Sequence, residues 1–210
     1  VVVVKLKPFE WIVKALGACR RPAVVGCEVG SGRCRNGGIR EVKALASYLE
    51  EKGFEVVKAV SLGGVCVLEN VERALEHIGK DVDAVVSLAC GAGTQVIAEK
   101  TKVPVVAGVD TLFIGSEKER RFFSEYCIAC GNCIITETGG ICPVARCPKS
   151  LTGGPCGGAV NGRCEVDENL PCVWYLIDER LKATRAGNLF PSNPSGAYPV
   201  HPRSLVVEES

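Results

Sequence analysis

The chain contains no methionine, only two histidines and few aromatic residues, 6% of its 210 positions. The missing methionine, absent even at position 1, reads as a trimmed or alternative start and says nothing of function. Neither sign of charge is in excess, with 25 basic against 24 acidic residues and a net charge of +1. That balance removes the electrostatic basis for nucleic-acid or anionic-membrane binding. Long apolar runs are also lacking, and none approaches the roughly 18–20 residues that a membrane span needs. The opening Val1 to Val4, followed by Lys5 and Lys7, is too short for a signal-peptide core. No nucleic acid, no membrane span and a cytoplasmic setting are therefore expected.

Cysteine is abundant, with 13 in the chain. A secreted disulfide scaffold would place them in a small domain with little core and an export signal. Here five lie within a hydrophobic, alternating pattern and eight within residues 127–172. Metal ligation in a reducing compartment is the better reading.

Residues 1–122 alternate amphipathic stretches with apolar runs. Helices are predicted over Pro8 to Ala18, from Ile39 to the stop at Gly53, over Val67 to Ile78 and over Thr94 to Lys100. Strands are predicted at Ala23 to Cys27, Phe54 to Val60, Asp83 to Ala89 and Val103 to Val109. Apolar strands alternating with helices predict a parallel sheet covered on both faces, a flavodoxin- or Rossmann-like α/β domain. Residues 123–185 change character: Gly pairs and cysteines replace the apolar runs. The expectation there is a small, loop-dominated module organised by metal, with a terminal helix over Val173 to Lys182. Residues 186–210 read as a Pro-rich extended tail.

Cys27 and Cys90 close predicted strands, Cys34 lies in the loop after the first, and Cys66 follows the second. A parallel sheet ends all its strands on one edge, where ligands bind. Four thiols from distant positions can converge there, and four thiolates suit an iron–sulfur cluster or tetrahedral zinc. Inert burial is the plain alternative, since free cysteine is often buried. Cys19, in the first helix, reads as packing. Gly91 and Gly93 make only a weak nucleotide fingerprint, because the full GxGxxG is absent.

Cys127, Cys130 and Cys133 have the C-x2-C-x2-C spacing of cubane iron–sulfur loops, whose fourth ligand comes from elsewhere. Cys142-Pro143 and Cys147-Pro148 echo the Cys-Pro that often completes such loops. Cys156, Cys164 and Cys172 complete two groups of four whose membership the spacing leaves open. Glycines 153, 154, 157 and 158 would let backbone N–H groups approach cluster sulfurs. Arg146, Lys149 and Arg163 are either nearby positive charge or ordinary surface residues. His77 and His201 have no metal-like or triad-like neighbours.

The strings CIACGNC, TGGICPVARCPKSL, GGPCGG, GRCEV and CVWYLIDERL resemble the C-terminal-type, MetV-type domain family of methylenetetrahydrofolate reductase. VVGC, GGI-x-EV and SLACGAG-x-Q extend the similarity, which covers about residues 20–183. Gly30 departs from it, standing where the family often carries a further cysteine. The resemblance implies an electron-transfer subunit with two or three 4Fe–4S clusters. These would relay electrons from a reduced carrier or further redox subunit to a flavin held by a separate catalytic subunit. A redox-silent zinc scaffold of the same complex is the alternative, and zinc at one site stays open. A standalone enzyme using Asp110 and Thr111 at the sheet edge is the weakest reading. The isolated chain is expected to have no folate reductase activity.

Overall fold

A computed structural model describes residues 1–119 and 121–184. The predicted tail and His201 lie outside the described residues. The chain divides into two compact units, Val1–Phe123 and Ser124–Ser210.

The first unit is built on a four-stranded parallel sheet. Its strands are β2 (Pro22–Cys27), β3 (Lys58–Leu62), β4 (Ala84–Leu88) and β5 (Val105–Ala107), in the order β3-β2-β4-β5. Side chains alternate between the two faces along each strand. Val24 of β2 and Ala84, Val86 and Leu88 of β4 join one core cluster; it also holds Ile12 and Leu16 of α1 (Phe9–Leu16) and Val42, Leu45 and Leu49 of α3 (Ile39–Glu51). Ala23, Val25 and Cys27 of β2 and Val85 of β4 face the other way. They pack with Val71 and Ile78 of α4 (Leu68–Ile78) and Ile97 of α5 (Gly91–Lys100). β2 and β4 are buried at every position because both faces are covered.

The predicted parallel α/β arrangement is therefore present, but the strand calls need two corrections. The run from Phe54 enters the ladder only at Lys58, because residues before it cross the strand start. There Glu55 N–H donates to the Arg20 carbonyl (2.9 Å) and Val57 N–H to the Pro22 carbonyl (3.0 Å). The run predicted as one strand to Val109 breaks at Gly108, after which the chain leaves the sheet.

Beyond that break lies an element the sequence reading missed, an antiparallel sheet in the order β1-β6-β7. It is formed by β1 (Val2–Leu6), β6 (Val109–Glu119) and β7 (Phe122–Cys127). β1 pairs with β6 from Val2 opposite Ile114 to Leu6 opposite Val109. Val2 to Leu6 are thus a strand, with Val3 and Val4 buried.

Polar groups after β2 fix the start of α3. Glu41 Oε2 accepts the Gly38 N–H (3.0 Å), and Glu28 Oε1 accepts the Ile39 N–H (2.7 Å), satisfying two donors at the helix start. Gly37 is required there: a Cβ would run into the Leu88 carbonyl oxygen and the Ser31 side chain.

The second unit has little regular structure: α6 (Pro143–Arg146) and α7 (Val173–Thr184), joined by turns and isolated bridges. Among the described residues its buried hydrophobic side chains are Ile134, Cys172, Val173 and Ile177, against a far longer list in the first unit. That is a small apolar core for a loop-rich segment. No helix among the described residues is long and apolar enough to cross a membrane.

Candidate metal centre

The four edge cysteines lie where strands of the parallel sheet end. Cys27 is the last residue of β2, Cys66 sits between β3 and α4, and Cys90 is the N-cap of α5 after β4. Cys34 follows α2 (Gly30–Arg33) in the loop between β2 and α3. Their surroundings differ. Cys27 is buried against the α4 and α5 side, while Cys90 packs against the cluster on the α1 and α3 side. The buried Cys34 thiol donates to the Val2 carbonyl (3.7 Å), and burial pushes its pKa up. Cys66 is exposed. All four share an edge, but they are not drawn to a point.

Asp110 and Thr111 have structural work on the same edge. Asp110 forms an ion pair with Lys7 across β1 and β6, and Thr111 Oγ1 accepts the Gly91 N–H (2.8 Å). Cys19 packs on the core, its thiol 3.5 Å from the Asp83 carbonyl. The His77 ring lies on its own helix, Nδ1 2.6 Å from the Arg73 carbonyl.

In the second unit, Cys127, Cys130 and Cys133 occupy one tight loop. Ala129 and Gly131, on either side of Cys130, both have positive φ (54° and 76°), which folds the chain back on itself. The Ala129 N–H donates to Cys127 Sγ (3.3 Å). Cys142 and Cys147 bracket α6 as its N-cap and C-cap.

Cys147, Cys156, Cys164 and Cys172 line one small cavity, walled also by Val173 and Trp174. They are spread along the connection from α6 to α7, which backbone bonds fold back on itself. Cys164 N–H donates to the Leu170 carbonyl (2.9 Å) and Cys172 N–H to the Gly162 carbonyl (2.8 Å). Trp174 Nε1–H closes one side on the Leu151 carbonyl (3.1 Å). The cavity is about 20 Å³, room for a single water-sized sphere. Among the described residues no three cysteine, histidine or carboxylate side chains stand close enough together to hold a metal ion. Four cysteines are the number and type of donor that tetrahedral zinc or an iron–sulfur cluster takes, although here they line the cavity without closing to ligating distance.

The three nearby basic residues have local partners. Lys149 is ion-paired with Glu165 beside the cavity, so its charge is largely balanced there. Arg146 stacks over the Tyr126 ring at 5.4 Å, and Arg163 Nη1 donates to the Asn169 carbonyl (3.4 Å). Glu165, which the sequence reading did not single out, could have been found only from this pairing.

No curated protein and no solved structure matches the chain. Residues 106–194, which hold every cysteine of the second unit, match the family described as "Methylene-tetrahydrofolate reductase C terminal". This part of the chain is accordingly similar to the methylenetetrahydrofolate reductase C-terminal family.

Proposed function

We propose that the chain is an iron–sulfur electron-transfer subunit of a methylenetetrahydrofolate reductase complex. It would pass electrons from a reduced carrier to the flavin of a separate catalytic subunit. The observation that carries this reading is the convergence of Cys147, Cys156, Cys164 and Cys172 on one cavity in a unit with few buried apolar side chains. Four thiols that share a space can be held there by metal, and the metal then supplies the order that hydrophobic burial does not. That set leaves Cys127, Cys130, Cys133 and Cys142 as the second group; Cys27, Cys34, Cys66 and Cys90 share the sheet edge, and a third group there requires metal to draw them together. When bound, clusters would supply one-electron transfer. The chain's own part is to set their spacing and to direct N–H groups, such as that of Ala129, at the sulfurs.

Four thiolates suit zinc as well as a cluster, so zinc at one site is the second reading. Quantifying iron, sulfide and zinc in anaerobically purified chain separates the readings. Three four-iron clusters give about twelve irons per chain and a broad visible absorbance that bleaches on reduction; zinc at one site lowers this to about eight irons with one zinc. Zinc without iron, and no redox-dependent spectrum, overturns the electron-transfer role. The chain alone is expected to show no folate reductase turnover until the catalytic subunit is added, and turnover by the chain alone would count against a separate reactor.

A further inference from the structure

A second concave site lies within the first unit, on the side of the β2–α3 loop that meets the antiparallel sheet. Its volume is about 450 Å³, within the range of small-molecule sites. Arg33, Arg35 and Arg121 line it, with Glu117 the one carboxylate and Val3 and Phe123 an apolar wall. Glu117 is already engaged: one oxygen pairs with Arg33 Nε (3.3 Å) and the other accepts the Arg121 N–H (3.0 Å). Among the described residues, the Arg35 and Arg121 guanidinium groups have no carboxylate partner. In a chain whose net charge is only +1, this is a local concentration of cation.

The backbone adds an independent observation. Arg35 and Arg121 both sit in the left-handed region, at φ 57° and 74°. An arginine there costs about 1 kcal/mol or more, a cost that glycine avoids. Two such arginines on one cavity call for a role in what the cavity holds. Guanidinium groups match phosphate oxygens two at a time, and an aromatic and aliphatic wall suits a flat ring.

We propose that this cavity binds a phosphate-bearing nucleotide, with its phosphates on Arg35 and Arg121 and its base against Phe123 and Val3. Arg33, held by Glu117, completes the cationic side. The site lies within the first unit; Cys34, which the proposed function gives to a third metal group, and Asn36 also line it, and the contacts proposed here use neither.

The test is equilibrium binding of ADP to the full metal-loaded chain by calorimetry, with inorganic pyrophosphate and adenosine as competitors. ADP is expected to bind at one site per chain. Pyrophosphate should displace it at a higher concentration, and adenosine should not. Arg35→Gly and Arg121→Gly suit the positive φ and remove the guanidinium with its stem, so each should weaken ADP binding about tenfold or more with the circular dichroism unchanged. Phe123→Leu should weaken ADP without changing the pyrophosphate affinity. No ADP binding up to roughly 5 mM by natively folded wild-type chain overturns the proposal. Unchanged ADP affinity in both glycine variants does the same, and pyrophosphate binding as tightly as ADP overturns the nucleotide assignment.

Discussion

How fast a thiol is alkylated depends on its exposure and on how readily it ionises, and the cysteines here differ in both. In metal-free chain, Cys66, Cys133 and Cys156 are exposed and should be labelled first by iodoacetamide; the buried Cys27, Cys34 and Cys172 should be labelled last. Mass mapping of partially labelled protein checks the order, and early labelling of Cys172 would show that the four-cysteine cavity is not formed without metal. In loaded protein, Cys133 and Cys156 should become protected although they face solvent, because only ligation can shield them. Cys34 adds a pH dependence. Burial raises its thiol above the ordinary value near 9.0, so the fold favours the neutral form. The stability this contributes is complete below that value and is lost as pH rises through the raised one. Cys34→Ala should flatten the alkaline loss of stability in metal-free chain, which urea titrations at pH 8 to 10 would read. Trp174 offers a direct reporter, since it lines the cavity and the chain has only one other tryptophan, the exposed Trp11. With Trp11→Phe in place, chelation should shift the remaining emission.

Among the elements, the connection from β2 to α3 tolerates change least. Gly37→Ala would push a methyl group into the Leu88 carbonyl, so β2 and β4 must separate or the turn must move. A loss of about 2–3 kcal/mol in urea unfolding is expected. Leu45→Ala, on the fully buried face of α3, should cost about 2–5 kcal/mol through the cavity it leaves. The helices over 39–51 and 68–78 were legible because Val42, Leu45, Ala46 and Leu49, or Val71 and Ile78, repeat at helical spacing. The first turn of α5 was not, because Gly91 and Gly93 are poor helix formers. Here Gly93 is buried against Val65 and Ala89, where a Cβ would crowd both. β1 and β6 were missed for a different reason: each is half-covered, and their pairing joins residues more than a hundred positions apart.

Across the whole molecule the two units rest on different physics. The first has a two-sided apolar core, and the second has turns, cysteines and a short helix. Limited proteolysis of the full chain after metal removal should therefore cut first within residues 127–172, while fragments covering the parallel sheet persist. Equal resistance of both regions under strong chelation would show that the second unit holds itself together without metal.

The sequence by itself determined the alternation that makes a parallel sheet and the crowding of cysteines after position 126, because periodicity and spacing are local properties that survive in a linear string. It also carried the family resemblance of the cysteine-rich part, since that too is written in short strings. Which thiols share a space was decided only by the tertiary structure. Cys147, Cys156, Cys164 and Cys172 are brought to one cavity by backbone bonds that fold the connection from α6 to α7 back on itself, and Arg33, Arg35 and Arg121 meet because β6 returns to β1. Such meetings depend on long-range chain closure, which no window of neighbouring residues encodes.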